Sequence, residues 1–385
     1  MRTIFKLFAI LIFTYSNAQN FQTQKIVVDL LTKLPLENVI ISNQKDYSTT
    51  NIDGKFIFVS ANKAINLNLL GYENIETTFD DLKNSKDTIF MQQKTIQLPE
   101  IIVGNSAAYV QKVYDRIKDN LIGNYTIDFF LRNVLKQEKE TIVLQDLSGK
   151  KNQNISAKDK ISIEILNMRK VKLYDKKEGI DFKFQNFEEI SNLVAPSPSG
   201  CNFTEIEFND ENYKKIEFES KNKNTQGLGI KGYLVINKKD LAIVEFKMSS
   251  DIDTDLLPYS KFMLSKVKYR TPEWTKHIKF IKDVASNKYY PVSLKMDVKV
   301  EVVTDKKSFY FNNSIDLFTT SAPRDEKIIP NFSTDKDLFK AKFIYSADFW
   351  KSQNQLPLTK ELDTFLKLVA DKKDKTKEYE VTGNF

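Results

Sequence analysis

The chain has one cysteine, Cys201, and one histidine, His277, among 385 residues. A lone cysteine cannot close an internal disulfide. One histidine with one cysteine cannot furnish the nitrogen and sulfur ligands of a zinc centre, so a zinc peptidase, which needs two histidines and a carboxylate with one position open to water, is excluded. Glycine is scarce at 11 residues, and no phosphate-cradling glycine loop, His-Glu-x-x-His or Gly-x-Ser-x-Gly occurs. No apolar run approaches the roughly 20 residues that cross a bilayer as a helix. Arginine is rare beside lysine, and the basic residues are scattered among acidic ones. The net charge of +7 therefore forms no clustered surface of the kind that reads nucleic acid, and it serves solubility instead.

What is present is a globular composition, 41% hydrophobic and 12% aromatic, in a chain long enough for two domains. The segment 1–18 has a basic start (Arg2, Lys6), an apolar core from Leu7 to Phe13 and small residues at Ser16 and Ala18. That is the pattern of a cleaved export signal, with Gln19 opening the mature chain. An exported chain without disulfides must stabilise itself by core burial alone.

From Lys25 to Ile75 short strands alternate with turn signals. Ile26-Val27-Val28 and Val39-Ile40-Ile41 read as strands about a turn at Thr32-Lys33-Leu34-Pro35. Asn51-Ile52-Asp53-Gly54 reads as a tight hairpin turn rather than as the start of a calcium loop, whose twelfth position would be Ser60. Phe56 with Phe58, and Ile65 with Leu67 and Leu69, then place apolar rows on one face. Val28-Asp29, Thr32, Pro35-Leu36, Val39, Ile41, Thr50, Asp53-Gly54-Lys55-Phe56 and Gly71-Tyr72 together resemble the carboxypeptidase-regulatory-like domain, with Lys25 and Leu70 as departures. The resemblance covers about residues 24–98 and implies a seven-stranded, transthyretin-like sandwich, an accessory module without catalytic residues that is found at the front of exported bacterial proteins.

Leu98 to Gly104 is similar to the lead-in of outer-membrane receptor plugs, but under 300 residues follow, too few for a plug and a 22-stranded barrel. Val110, Val113, Tyr114, Ile117 and Leu121 instead mark an amphipathic helix over Ala107 to Ile122. Strands then fill Tyr125 to Thr320. They include a hairpin of Gly232 to Asn237 and Leu241 to Phe246 about Lys238-Lys239-Asp240, and strands over Lys261 to Tyr269, His277 to Val284, Tyr290 to Val303 and Ser308 to Thr319. A turn is expected at Thr271-Pro272-Glu273. Val292, Leu294, Met296, Val298 and Val300 form one apolar row, as in a sheet with one wet face. The 107–122 helix and Phe187 to Leu193 are the candidates to cover it. Asp348-Phe349-Trp350 followed by Pro357 resembles the C-terminal part of exported proteins of the same family. By architecture, a helix across a curved antiparallel sheet is similar to periplasmic lipoprotein carriers. Tyr379, Val381, Gly383 and Phe385 look like a terminal barrel strand, but the charged run Asp371 to Glu378 leaves no room for ten residues in a membrane, and the end reads as a flexible tail.

The expected fold is therefore mainly β. The order is a signal at 1–18, a sandwich at 19–98, a linker and helix at 99–122, a curved antiparallel sheet domain at 123–320 and a C-terminal extension at 321–385. The two halves are expected to be separable by protease between Pro99 and Ala107. His277 reads as an ordinary strand histidine and Cys201 as a passive thiol, so no catalytic, cofactor-binding or metal-binding residue is assigned and no cofactor is implied. The expected function is a non-enzymatic, exported protein of the cell envelope, in the periplasm or at the outer-membrane periphery. It would bind an apolar or macromolecular ligand, with an envelope protein, a glycan or a lipid as partner. A hydrolase built in the sheet domain is the alternative, and an outer-membrane barrel component a weaker one. Carboxylates or His277 converging in a cleft favour the enzyme; an apolar concavity poor in ionisable groups favours binding.

Overall fold

The computed structural model describes residues 20–95, 106–154, 161–174, 184–192, 196–261, 266–371 and 377–385. The export signal, the Leu98 to Gly104 segment and most of the charged run after Asp371 lie outside these residues. Among them, no helix is long and apolar enough to cross a membrane.

The first unit has seven strands in two sheets. They are β1 (Phe21–Asp29), β2 (Ile40–Ser42), β3 (Tyr47–Thr49), β4 (Lys55–Ser60), β5 (Ala64–Asn68), β6 (Ile75–Thr78) and β7 (Thr88–Met91). One sheet runs β4-β1-β7 and the other β3-β2-β5-β6. Val27, Phe56, Phe58, Ile65 and Leu67 meet between them, where the alternation places them. A short helix, α1 (Phe79–Asn84), intervenes before β7. Thr78 caps it by accepting from the Asp81 amide, a Thr-x-x-Asp signal too short to show a helical period.

The Asn51 to Gly54 turn is not a hairpin. β3 and β4 belong to different sheets, so the turn carries the chain across the sandwich. The Asn51 carboxamide oxygen accepts from the Asp53 and Lys55 amides. Gly54 sits at φ +71°, where a Cβ would lie 2.4 Å from the Val27 carbonyl, and this fixes glycine there.

The second unit begins with α2 (Ser106–Asn120) and continues with β8 (Asn124–Gln137), β9 (Glu140–Asn154), β10 (Ile161–Tyr174), the short helix α3 (Phe187–Ser191), β11 (Cys201–Ile206), β12 (Tyr213–Ser220), β13 (Leu228–Asn237), β14 (Ile243–Ile252), β15 (Ser260–Lys261), β16 (Lys268–Lys282), β17 (Tyr289–Val303) and β18 (Ser308–Thr319). α4 (Ala347–Lys351), α5 (Lys360–Ala370) and β19 (Glu378–Thr382) end the chain. One twelve-stranded antiparallel sheet runs β11-β12-β13-β14-β16-β17-β18-β8-β9-β10-β19, with β15 beside β16. Among the described residues it has two ends and does not close into a barrel.

Two expected features are corrected here. Thr271-Pro272-Glu273 is not a turn but a register shift inside β16: proline has no N–H to give a ladder, and a bulge accommodates it without ending the strand. The end of the chain is not a free tail. Glu378–Thr382 pairs antiparallel with Lys170–Tyr174 of β10, covering a strand edge that would otherwise present unpaired backbone groups.

The inner face of the sheet carries Phe129, Leu131, Phe246, Ile278 and Ile315, covered by Val110 and Val113 of α2 and by Phe187 and Ile190 of α3. Both expected cover segments thus supply buried side chains. Within the β17 row, Leu294 joins this core and Val298 and Val300 a neighbouring cluster. Val292 packs instead on Ile40 and Tyr47 of the sandwich. The two units therefore share an apolar seam, and hydrogen bonds reinforce it: the Val59 amide donates to Asn354 Oδ1 at 2.7 Å and Asn51 Nδ2 to the Pro357 carbonyl at 3.1 Å.

Candidate functional site

The outer face of the sheet has a different chemistry. Cross-strand register sets Lys247, His277, Lys295, Asp316, Arg132, Asp146 and Arg169 directly opposite one another on successive strands from β14 to β10. Residues paired in register share a face, so this is one charged row across the sheet. Strand alternation shows each member only as a polar residue; the row itself exists only once seven strands are in register.

At one end the row is sealed. Arg132 donates to both oxygens of Asp146 at 2.8 Å, and Arg169 Nη2 to the same carboxylate at 2.7 Å. All three are buried. Burial alone would raise the Asp146 pKa, but the two guanidinium charges and their hydrogen bonds outweigh it and hold the carboxyl below its usual range. The ring of Trp350 lies 4.5 Å from the Arg169 guanidinium carbon and that of Phe385 4.6 Å, and α5 seats Leu362 and Phe365 on Val134, Leu144 and Val171. Thr359 caps α5, and Leu362, Phe365, Leu366 and Val369 form its apolar stripe. That helical spacing is readable in the sequence, yet the segment was grouped there with an undivided extension.

At its middle the row is open. A cleft of about 1190 Å³ lies between the sandwich residues 37–38 and 49–53, the outer face of β8 and β16–β18, and helix α5. Lys295, Asp297 and Asp316 lie on its floor. Lys295 Nζ donates to Glu37 of the sandwich at 2.6 Å, and Asp297 accepts from the Ser314 hydroxyl at 2.6 Å. Asp316 receives no hydrogen bond or ion pair among the described residues, because Lys295 turns to Glu37 and Arg132 to Asp146. Burial and the charges of Asp297 and Glu37 push its carboxyl up to about 6, against the pull of Lys295 and Arg132. The opposite wall is apolar at Leu362, Phe365 and Leu368.

His277 lies outside the cleft lining. Its Nε2 is 2.8 Å from Glu245 Oε1, which also accepts from the Tyr233 hydroxyl at 2.7 Å. Burial opposes the Glu245 charge, but the His277 and Tyr233 hydrogen bonds and the Lys279 charge bring its pKa down to about 2. An acid thus orients His277, but no serine, threonine or cysteine side chain bonds to the imidazole among the described residues, so the pair lacks the nucleophile of a hydrolytic triad. Cys201 is buried on β11 and belongs to the inner core. Burial pushes its thiol pKa up, away from the reactive range. Among the described residues no three His, Cys, Asp or Glu side chains converge as metal ligands. Asn51 and Asp53 are occupied by the Pro357 carbonyl and the Lys360 amide, which leaves nothing of a calcium loop.

No protein-family model matches the chain, and no curated protein matches it. Among solved structures, a study of lipid–protein interactions in lipovitellin is similar at 8% identity and a TM-score of 0.26, over 57% of this chain and 27% of that one. A LolA superfamily protein from Nitrosomonas europaea is similar at 8% identity and a TM-score of 0.23, over 56% of this chain and 94% of that one. The chain thus spans about a quarter of the lipovitellin chain it matches. Likenesses this slight establish neither a family nor a ligand.

Proposed function

We propose that the protein is a non-enzymatic binding protein of the cell envelope, its N-terminal unit a carboxypeptidase-regulatory-like module and its cleft the seat of an elongated macromolecular ligand. The cleft carries this reading. Its volume exceeds the roughly 300–1,000 Å³ usual for small-molecule sites, and it joins an apolar wall to a charged floor across two units of the chain. A purely apolar ligand fits less well, because the apolar face of the sheet is filled by the protein's own helices α2 and α3. The sandwich is then one wall of the site as well as a docking module. The export pattern of the first 18 residues supports work in the periplasm or at the outer-membrane periphery.

One observation favours a hydrolase instead: Asp316, raised to about 6, shares the cleft with Asp297 and Glu37, and perturbed carboxyls in clefts mark acid–base sites. Two of the three are occupied, Glu37 by Lys295 and Asp297 by Ser314, so no second free carboxyl stands ready as base or nucleophile.

The test compares the purified chain with an Ile52→Arg variant, altered at an exposed cleft residue, against peptides, oligosaccharides and acyl amphiphiles by calorimetry, with ester and glycoside substrates in parallel. Binding of one class, weakened by the variant and without turnover, is expected. Turnover abolished by Asp316→Asn establishes the hydrolase.

A further inference from the structure

Resting on the cleft reading, we infer that the ligand is an extended peptide segment that places a basic side chain, arginine or lysine, on Asp316 and aliphatic side chains against α5. Asp316 is the carboxyl of the cleft floor that has neither a hydrogen bond nor an ion pair among the described residues. Of the two cations directly opposite it, Lys295 is engaged at 2.6 Å by Glu37 and Arg132 by Asp146, so the half-buried Asp316 carboxyl is left without a cation in contact. With Lys295 counted against Glu37, Lys136 against Glu361 and Lys299 against Glu273, Asp316 and Asp297 are the floor charges left without a cation in contact, while Lys139 and Lys360 also line the cleft. A guanidinium or ammonium entering the cleft supplies the missing partner. A ligand carboxylate or phosphate there meets the like charge of Asp316.

A second, independent feature points to a polar ligand. The Thr49 hydroxyl has no hydrogen-bond partner although the residue is 6% exposed, and Thr49 lines the sandwich wall of the cleft. Burying a hydroxyl without a partner is unfavourable, and a peptide N–H or C=O satisfies it. The remaining wall discriminates against sugars. Glycans pack their CH faces on exposed aromatic rings, whereas of the lining's rings Phe318 and Phe365 are buried and Tyr379 half-buried, and the open apolar positions are Ile52 and Leu368, at 58% and 50% exposure. Aliphatic contact beside one orphan carboxylate fits alternating apolar and basic side chains of an extended chain.

The experiment uses the full chain and fluorescein-labelled leucine–serine peptides of equal length that carry a central arginine, glutamine or glutamate, with a chitosan oligomer as the amino-sugar arm. The arginine peptide is expected to bind about 10- to 100-fold more tightly than the glutamine peptide, the range for one buried charge pair. Asp316→Asn, shown folded by its melting transition, is expected to erase that difference. An arginine preference that persists in the variant, or a preference for glutamate, overturns the assignment of Asp316. Asp316-dependent binding of chitosan without peptide binding overturns the peptide. If no probe binds the wild-type chain, the cleft reading itself falls.

Discussion

Asp146 and Asp316 flank Arg132 in the same cross-strand row, yet their situations are opposite. Asp146 has taken both guanidinium groups, is sealed beneath the C-terminal segment and has its pKa lowered. Asp316 has been left without a partner in an open cleft and has its pKa raised to about 6. The difference teaches how one polar face can be both structure and site. Charges that satisfy one another hold the C-terminal segment in place, and the charge left over is free for a partner from outside.

The largest effect lies at the sealed end. Asp146→Asn leaves two buried arginines short of a counter-charge and is expected to destabilise the chain by about 3–5 kcal/mol, read as a lower denaturant midpoint. Asp316→Asn goes the other way. A carboxyl raised from 3.8 to about 6 on folding destabilises the native state when ionised. The cost is full above about pH 6 and disappears as pH falls toward 3.8. The variant is expected to gain about 3 kcal/mol at pH 7, and its advantage should vanish near pH 4. The groups that set this titration are Lys295 and Asp297 on β17, Arg132 on β8 and Glu37 on the sandwich. A variant no more stable than the wild type at pH 7 would mean that Asp316 is compensated after all, and the contrast between the two aspartates would collapse.

Much of this architecture was legible in the residues. The alternation of Phe56 with Phe58, the row from Val292 to Val300 and the spacing of Val110 with Val113 each specify an apolar face, and burial follows that face. The site was not legible, because Lys295, Asp316 and Arg132 are 21 to 184 positions apart along the chain and meet only through the pairing of β17, β18 and β8. Proline misled at Thr271-Pro272-Glu273, where a bulge accommodates it and the strand runs on. The terminal strand was misread because a partner edge, β10, decides whether Tyr379 and Val381 alternate in a sheet or in solvent.

Removing residues 377–385 sharpens the comparison at lower amplitude. It takes away the five-residue pairing with β10 and the Phe385 ring from Arg169, but leaves Arg132 and Arg169 on Asp146. A loss of about 1–2 kcal/mol is expected, together with a greater tendency to associate through the uncovered β10 edge. Thermal melting and light scattering read the two effects. A loss as large as that of Asp146→Asn would show that the terminal strand, rather than the arginine pairing, seals that end of the row.

The smallest effect concerns the sandwich as a wall of the open cleft. Cleavage within 96–105 is expected to leave the two fragments together on gel filtration, because Ile40 and Tyr47 pack on Val292, Asn354 bonds both backbone groups of Val59 at 2.7 and 3.0 Å, and Glu37 reaches Lys295. Raising the salt weakens the half-exposed Glu37–Lys295 pair but not the apolar seam, so the nicked complex should survive it. Fragments that elute separately at low salt would show that the seam does not hold the wall in place. Asp316 would then stand on an open sheet face, with no cleft to distinguish it from any other surface carboxylate.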